Sequence, residues 1–189
     1  MADLDAYAEP RRDAATLAAR RTALVDQLGW LEDESAALVP LLADLPAWAT
    51  DQAPMPGDLT AKETFVQLAV WDRDVTSEWL RRALAEDAPE LVTPEPQAQP
   101  GANDRPLPDL LTDLQGARVG LRQQVEAIDP DAWSRRVVLD GAETDLYGLV
   151  LAVVQRDAEH LKTLAYRLHQ ADLRPRDPAS ELPRPPETL

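Results

Sequence analysis

The chain has 189 residues, 44% of them hydrophobic, which is enough apolar material for one domain with a buried core. It contains no cysteine, which excludes disulfides, thiolate metal sites and a cysteine nucleophile. Its formal net charge of −15 repels nucleic-acid phosphates, so we predict no nucleic-acid partner. No apolar run reaches the roughly 18 residues of a membrane span, and the acidic N-terminus lacks a signal-peptide pattern. We therefore predict a cytoplasmic protein with no membrane partner.

The first of four predicted helices is marked by leucines spaced mostly three, four or seven residues apart, as one face of a helix requires. Pro40 interrupts this pattern. A proline inside a helix costs about 3 kcal/mol and clashes with the preceding turn. We therefore expect a kink or a break at Pro40. The stripe consists of Leu17, Leu24, Leu28, Leu31, Leu38, Leu42 and Leu45.

The second predicted helix begins at Thr60 and runs to about Glu86. Thr60 and Glu63 form the pattern of a capping box, in which each side chain satisfies a free backbone amide at the helix start. Asp72 falls within the apolar stripe of this helix. A carboxylate in an apolar environment is costly unless it is paired, ligated or used, so Asp72 is a candidate functional residue. The stripe consists of Phe65, Leu68, Val75, Trp79 and Ala83.

A proline-rich connection, residues 87–105, separates the second helix from the third. A loop of this length is unusual in a compact domain. It either carries the chain from one end of a bundle to the other or forms a mobile lid, and we favour the crossover. The third predicted helix runs from Pro108 to Ile128. Residues 137–139 are the only β-branched cluster outside a helix and are too short to anchor a sheet, and Asp140-Gly141 forms a turn.

The last predicted helix runs from Thr144 to Asp172, with Asp157 at the centre of its apolar stripe and His160 on the flank. If the second and last helices are neighbours, Asp72, Asp157 and His160 converge in one cavity. This set could bind a divalent cation, or an aspartate could orient the histidine as a general base. The alternative is an internal ion pair of Asp72 or Asp157 with Arg156.

The tryptophans form a second group of candidate residues, since the chain has five of them and one phenylalanine. Trp30, Trp71 and Trp79 lie on predicted helices, where we expect them to fill core or interface space. Trp48 and Trp133 lie near helix ends, where they could close the bundle or line a ligand pocket.

Four amphipathic helices favour an all-α four-helix bundle, and two motifs strengthen this assignment. Residues 59–72, LTAKETFVQLAVWD, resemble the second-helix motif of the DinB/YfiT-like superfamily, in which a histidine precedes Leu-Ala-x-Trp-Asp. Residues 156–161, RDAEHL, resemble its last-helix motif of two histidines four residues apart. The resemblance covers about residues 15–172. We predict a bundle over 13–173 with a long loop between helices 2 and 3, a flexible segment 1–12 and a proline-rich disordered tail 174–189.

The resemblance also implies the position of a metal site, and the residues found at that position indicate that the site is lost. Many members of the superfamily hold zinc or nickel on three histidines, and some resemble thiol-dependent enzymes. The matching positions here are Gln67, Arg156 and His160. Glutamine is a poor zinc ligand, and arginine cannot ligate and repels a cation. We therefore expect no cofactor, with zinc or nickel as the family-based alternative.

Three functions remain open from the sequence. The first is metal-free binding of a small ligand in a polar pocket that includes Gln67, Arg156 and Trp71. The second is an enzyme, a hydrolase or thiol-dependent transferase, in which His160 is the general base and Asp72 or Asp157 orients it, with or without a divalent metal. The third is a dimerisation module, since members of the superfamily are often dimeric and a homodimer would cover exposed apolar residues.

Overall fold

Four long helical rods enclose one apolar core in the computed structural model, which describes residues 14–42 and 45–172. The predicted flexible segment 1–12 and the predicted tail 174–189 lie outside these residues. None of the helices within them combines the length and apolarity that a membrane span needs. The helices are α1 (Ala14–Leu42), α2 (Ala47–Asp51), α3 (Ala61–Val70), α4 (Ser77–Ala85), α5 (Leu107–Glu126) and α6 (Leu146–Asp172).

Helix α1 supplies one wall of the core and packs against both α5 and α6. Leu24, Leu28 and Leu31 are buried, as the leucine spacing predicts. The predicted break at Pro40 is wrong by two residues: the helix includes Pro40, which lacks the N–H of one intrahelical hydrogen bond, and ends at Leu42. Trp30 is 79% exposed, so it does not fill the core; a role at an interface stays a prediction.

The second rod consists of α3, a π-helical segment (Trp71–Thr76) and α4. The predicted capping box is confirmed at its start: Glu63 N–H donates to Thr60 Oγ1 at 3.0 Å, and Thr60 N–H donates to Glu63 Oε2 at 2.8 Å. The π segment was not predicted. A π turn contains more residues than an α turn, so it shifts the directions in which successive side chains point. Here the consecutive residues Trp71 and Asp72 are both buried.

The connection between α4 and α5 runs back along the second rod, as the crossover prediction requires. Near its beginning, Glu90 C=O accepts a hydrogen bond from Arg82 of α4. Near its end, Asn103 Oδ1 accepts one from Thr60, the residue before α3. The connection therefore spans the length of the rod.

A three-stranded sheet lies beside the helices, contrary to the expectation that residues 137–139 are too short to anchor one. Its strands are β1 (Glu90–Leu91), β2 (Arg136–Leu139) and β3 (Ala142–Asp145), in the order β1-β2-β3. Strand β1 pairs with β2 in parallel, and β2 with β3 antiparallel. The predicted turn at Asp140-Gly141 is confirmed, with positive φ at both residues (51° and 79°), as a tight two-residue hairpin requires.

Helix α6 completes the bundle and brings its inner face to the second rod. Helix α5 packs against both α1 and α3. The gap between α6 and α3 is bridged by side chains: the rings of Trp71 and His160 are in contact, and Arg167 of α6 donates to the carbonyl of Leu59, just before α3. The second and last rods therefore face each other.

Candidate functional site

Two carboxylates and a guanidinium meet in the interior of the bundle. Asp72 lies in the π segment, Arg118 in α5 and Asp157 in α6, with exposed fractions of 0%, 2% and 0%. Arg118 Nη1 donates a hydrogen bond of 2.8 Å to Asp157 Oδ2 and lies 3.4 Å from Asp72 Oδ2. Because buried charges need partners, Arg118 acts as the counter-ion of both carboxylates. We call Asp72, Arg118, Arg156 and Asp157 the carboxylate cluster.

Asp72 is mostly protonated at neutral pH. Burial raises its pKa to about 8, and the charge of Asp157 acts in the same direction, against the two guanidiniums of Arg118 and Arg156. Neither carboxyl oxygen of Asp72 has a hydrogen-bond partner within the described chain, so no donor offsets the cost of burying its charged form. Metal ligands must be deprotonated, so Asp72 is a poor ligand in this position.

Arg156 is held between Asp157 and Trp71. Its Nε and Nη2 each donate to Asp157 Oδ1 at 3.2 Å, which confirms the internal ion pair that was the alternative to a functional site. Its guanidinium carbon lies 4.1 Å from the centroid of the Trp71 ring, a cation–π contact. The charge at this position is therefore engaged by a carboxylate and by an aromatic face.

His160 also packs against the ring of Trp71. The two rings meet edge to face with centroids 5.6 Å apart. Burial lowers the pKa of His160, and Arg156 lowers it further against the opposing effect of Asp157, so the imidazole is neutral at neutral pH. Within residues 45–172, no hydrogen bond joins His160 to Asp72 or Asp157. The two carboxylates meet as predicted, but neither orients the histidine.

Gln67 is buried and its side-chain oxygen is already used. It accepts a hydrogen bond of 3.0 Å from the backbone N–H of Gln97, in the connection between α4 and α5. The amide therefore ties the crossover connection to α3. A helical wheel places Gln67 at the edge of its apolar stripe, so its inward position was indicated only by the family resemblance.

The side chains at the three family positions do not fit a divalent cation. Gln67 offers a weak amide oxygen that accepts from the backbone, Arg156 brings a positive charge, and His160 alone offers a nitrogen ligand. Across residues 14–42 and 45–172, no group of three or more His, Cys, Asp or Glu residues is arranged to hold a metal ion.

A solvent-accessible cleft of about 500 Å³ lies between α3, α6 and the loop that precedes α3. This volume is within the usual range for small-molecule sites. We call it the Gln67 cleft. None of the four residues of the carboxylate cluster belongs to its wall, which includes Gln67, Trp71, Pro96, His160, Thr163 and Arg167.

Arg167 is the half-buried cation of the Gln67 cleft. Its Nη2 donates one long hydrogen bond, 3.4 Å, to the carbonyl of Leu59. Burial lowers the pKa of Arg167, and the exposed carboxylate of Asp58 opposes this effect. No ion pair with Arg167 forms within the described chain, so most of its guanidinium donors remain available to a ligand.

Arg118 is the central residue of the cluster that was not predicted from the sequence. It follows Leu111 and Leu114 and precedes Leu121 and Val125 at spacings of three or four residues, so it lies on the apolar stripe of the third helix. The signal was therefore present in the sequence. A stripe drawn from apolar residues alone includes the neighbouring Ala117 and therefore omits Arg118.

Comparison with known proteins supports the fold. No protein-family model matches the sequence, and no curated protein matches it by sequence. YfiT from Bacillus subtilis, a solved structure, matches with a TM-score of 0.68 and 12% sequence identity over 87% of this chain and 93% of that chain. It is described as a probable metal-dependent hydrolase with an unusual four-helix bundle topology. The predicted four-helix bundle and its DinB/YfiT-like resemblance are thus confirmed at the level of fold.

Proposed function

We propose that this protein binds a small organic acid in the Gln67 cleft without a divalent metal. The observation that carries the proposal is the state of the three family positions. Gln67 anchors a backbone amide, Arg156 is a cation engaged by Asp157 and Trp71, and His160 is a lone neutral imidazole. These three residues offer a divalent cation one nitrogen ligand beside a positive charge, while Gln67 and His160 leave polar groups in the wall of the cleft.

The chemistry of the cleft favours an acidic ligand. Arg167 offers planar guanidinium donors, which bind carboxylates and phosphates with two parallel hydrogen bonds. His160 can donate one further hydrogen bond from its neutral ring, and Trp71 adds an aromatic surface. A cationic ligand would meet Arg167 with no carboxylate beside it except the exposed Asp58.

Titration with acetate and inorganic phosphate, followed through the ring signals of His160 and Trp71 by NMR, tests this proposal. We expect saturable shifts that persist after treatment with EDTA and disappear in Arg167→Ala. Arg73→Ala is the matched control, since this arginine is exposed and pairs with its neighbour Asp74. Shifts abolished by EDTA, or unchanged in Arg167→Ala, contradict the proposal.

An enzyme is the second candidate, favoured by one specific observation. His160 is a neutral imidazole in the wall of a cleft, which is the state that a general base requires. The hydrolase description of YfiT names a reaction class to test. Turnover of ester and amide substrates by the wild type, lost in His160→Ala, would support hydrolysis, whereas equal rates in the two proteins would exclude His160 as the base.

A further inference from the structure

A second concavity lies at the opposite end of α6 from the Gln67 cleft. It has a volume of about 570 Å³ and is enclosed by the start of α1, the 3₁₀ segment Pro130–Ser134 and the beginning of α6. We call it the Trp133 cavity. Tyr147 in its wall and His160 in the Gln67 cleft lie about 20 Å apart along α6. The two sites are therefore separate.

Two adjacent cations of the Trp133 cavity have no carboxylate partner in the part of the chain that the structure describes. Arg20 and Arg21 are partly buried on α1, and neither forms an ion pair within residues 14–42 and 45–172. Two other partly buried arginines do form ion pairs, Arg82 with Glu86 and Arg122 with Glu32, whereas Arg167 of the Gln67 cleft forms none within the described chain. The wall of the cavity therefore presents two guanidiniums that are not paired with a carboxylate in the described chain.

The wall of the cavity also contains two aromatic residues. The rings of Trp133 and Tyr147 lie with centroids 6.3 Å apart and planes tilted by 51°. Trp133 is 7% exposed, so its ring is fixed by the packing around it. Aromatic and cationic groups in the wall of one cavity suit a ligand with an apolar body and an acidic end.

The two carboxylates in the wall, Asp145 and Asp131, do not pair with Arg20 or Arg21. Asp145 Oδ1 accepts a hydrogen bond of 2.8 Å from the Gly148 N–H at the start of α6, so it serves the helix terminus. Asp131 is exposed to solvent, where its charge is screened. The half-buried charges that face the cavity without a partner are the two guanidiniums.

We propose that the Trp133 cavity is a second ligand site, which binds a small organic acid with an aromatic body. The carboxylate contacts Arg20 and Arg21, and the ring packs against Trp133 and Tyr147. A neutral ligand leaves both guanidiniums without a counter-ion, and a cation is repelled by them, so the negative charge of the ligand determines binding.

Calorimetric titration of the full chain with 3-phenylpropionate tests the proposal, with 3-phenylpropionamide as the neutral probe of the same shape. We expect the acid to bind at least about tenfold more tightly than the amide. In a parallel NMR titration, the indole signal of Trp133, assigned with Trp133→Phe, should shift on addition of the acid. Equal affinity for acid and amide would overturn the proposal.

Variants identify where the probe binds. The double variant Arg20→Gln, Arg21→Gln should weaken binding of the acid about tenfold or more, and Arg81→Gln, an exposed arginine paired with Glu78, should leave it unchanged. The acid-induced shift of the Trp133 indole signal should persist in Arg167→Ala, since Arg167 belongs to the Gln67 cleft, where the same acid can bind separately. An unaltered Trp133 shift in the double variant, or its loss in Arg167→Ala, would overturn the assignment to the Trp133 cavity.

Discussion

The carboxylate cluster and the Gln67 cleft both contact Trp71, but they differ in the partners of their polar groups. In the cluster, Arg118 and Arg156 are bonded to Asp157, and Arg118 also faces the largely protonated Asp72. In the cleft, Arg167 makes one long hydrogen bond to a carbonyl. The cluster is rich in charge and closed, whereas the cleft has less charge and is open to solvent.

The difference shows that inward-facing charge in a sequence does not by itself mark a ligand site. Asp72 and Asp157 are the most conspicuous polar residues on the apolar stripes, yet both lie against Arg118 in the buried interior. The ligand-accessible groups are the less conspicuous Arg167 and His160.

Replacing Arg118 should have the largest effect on the cluster. Arg118→Met leaves Asp157 buried beside Asp72 without its principal counter-ion, and we expect a loss of about 3–5 kcal/mol in the free energy of unfolding. Urea denaturation at pH 7 measures it. Arg122→Met, four residues later on α5, is the matched control, because its partners Glu32 and Glu126 lie near the surface. Equal losses in the two variants would contradict a closed cluster.

The pKa of Asp72 predicts a pH dependence of stability. Because the folded pKa is raised from 3.8 to about 8, the folded protein retains this proton when the unfolded chain has lost it. The contribution of Asp72 to stability is complete below pH 3.8, declines as the pH rises and is exhausted above about 8. Asp72→Asn mimics the protonated form. Its free energy of unfolding should therefore increase relative to that of the wild type, by roughly 3 kcal/mol or more, as the pH rises from 4 to 8.

Urea denaturation of both proteins across this pH range provides the measurement. Asp140→Asn is a control with the opposite sign, since hydrogen bonds from Thr93 lower the pKa of Asp140. The stabilising contribution of that carboxylate is present above its ordinary pKa and is lost as the pH falls through the lowered value. A stability difference between Asp72→Asn and the wild type that does not change with pH would show that Asp72 titrates normally.

The smallest expected effect concerns the wall of the cleft. Gln67→Leu removes the acceptor of the Gln97 amide, which should cost about 1 kcal/mol. Hydrogen exchange of that amide should become faster, while the exchange of the paired strands β2 and β3 stays unchanged. Gln155→Leu, on the exposed face of α6, is the control. Unaltered exchange at Gln97 would show that the connection is held by other contacts.

Features that depend on local spacing were accessible from the sequence. The capping box at Thr60, the buried positions of Asp72 and Asp157 and the turn at Asp140-Gly141 all follow from patterns within a few residues. The helix bounds follow from the same periodicity, to within a turn. The motif resemblance added the inward position of Gln67, which periodicity alone did not show.

Features that depend on distant partners were not accessible. The sheet forms because β1 pairs with β2 across the whole of α5, and no window of sequence contains both strands. The π segment arises where Trp71 and Asp72 must both face inward, a requirement set by α5 and α6. The burial of Arg118 is stabilised by two carboxylates on other rods, which a reading of α5 alone cannot reveal.

Metal analysis of the tag-free protein tests the central claim, that Gln67, Arg156 and His160 hold no divalent cation, because the Gln67 oxygen accepts from a backbone amide, Arg156 is positively charged and His160 is a single nitrogen ligand. After equilibration with zinc or nickel and removal of free ions, we expect the wild type to retain no more metal than His160→Ala. A stoichiometric ion in the wild type that His160→Ala loses would contradict this claim, since it would show that the imidazole ligates a metal despite the charge of Arg156.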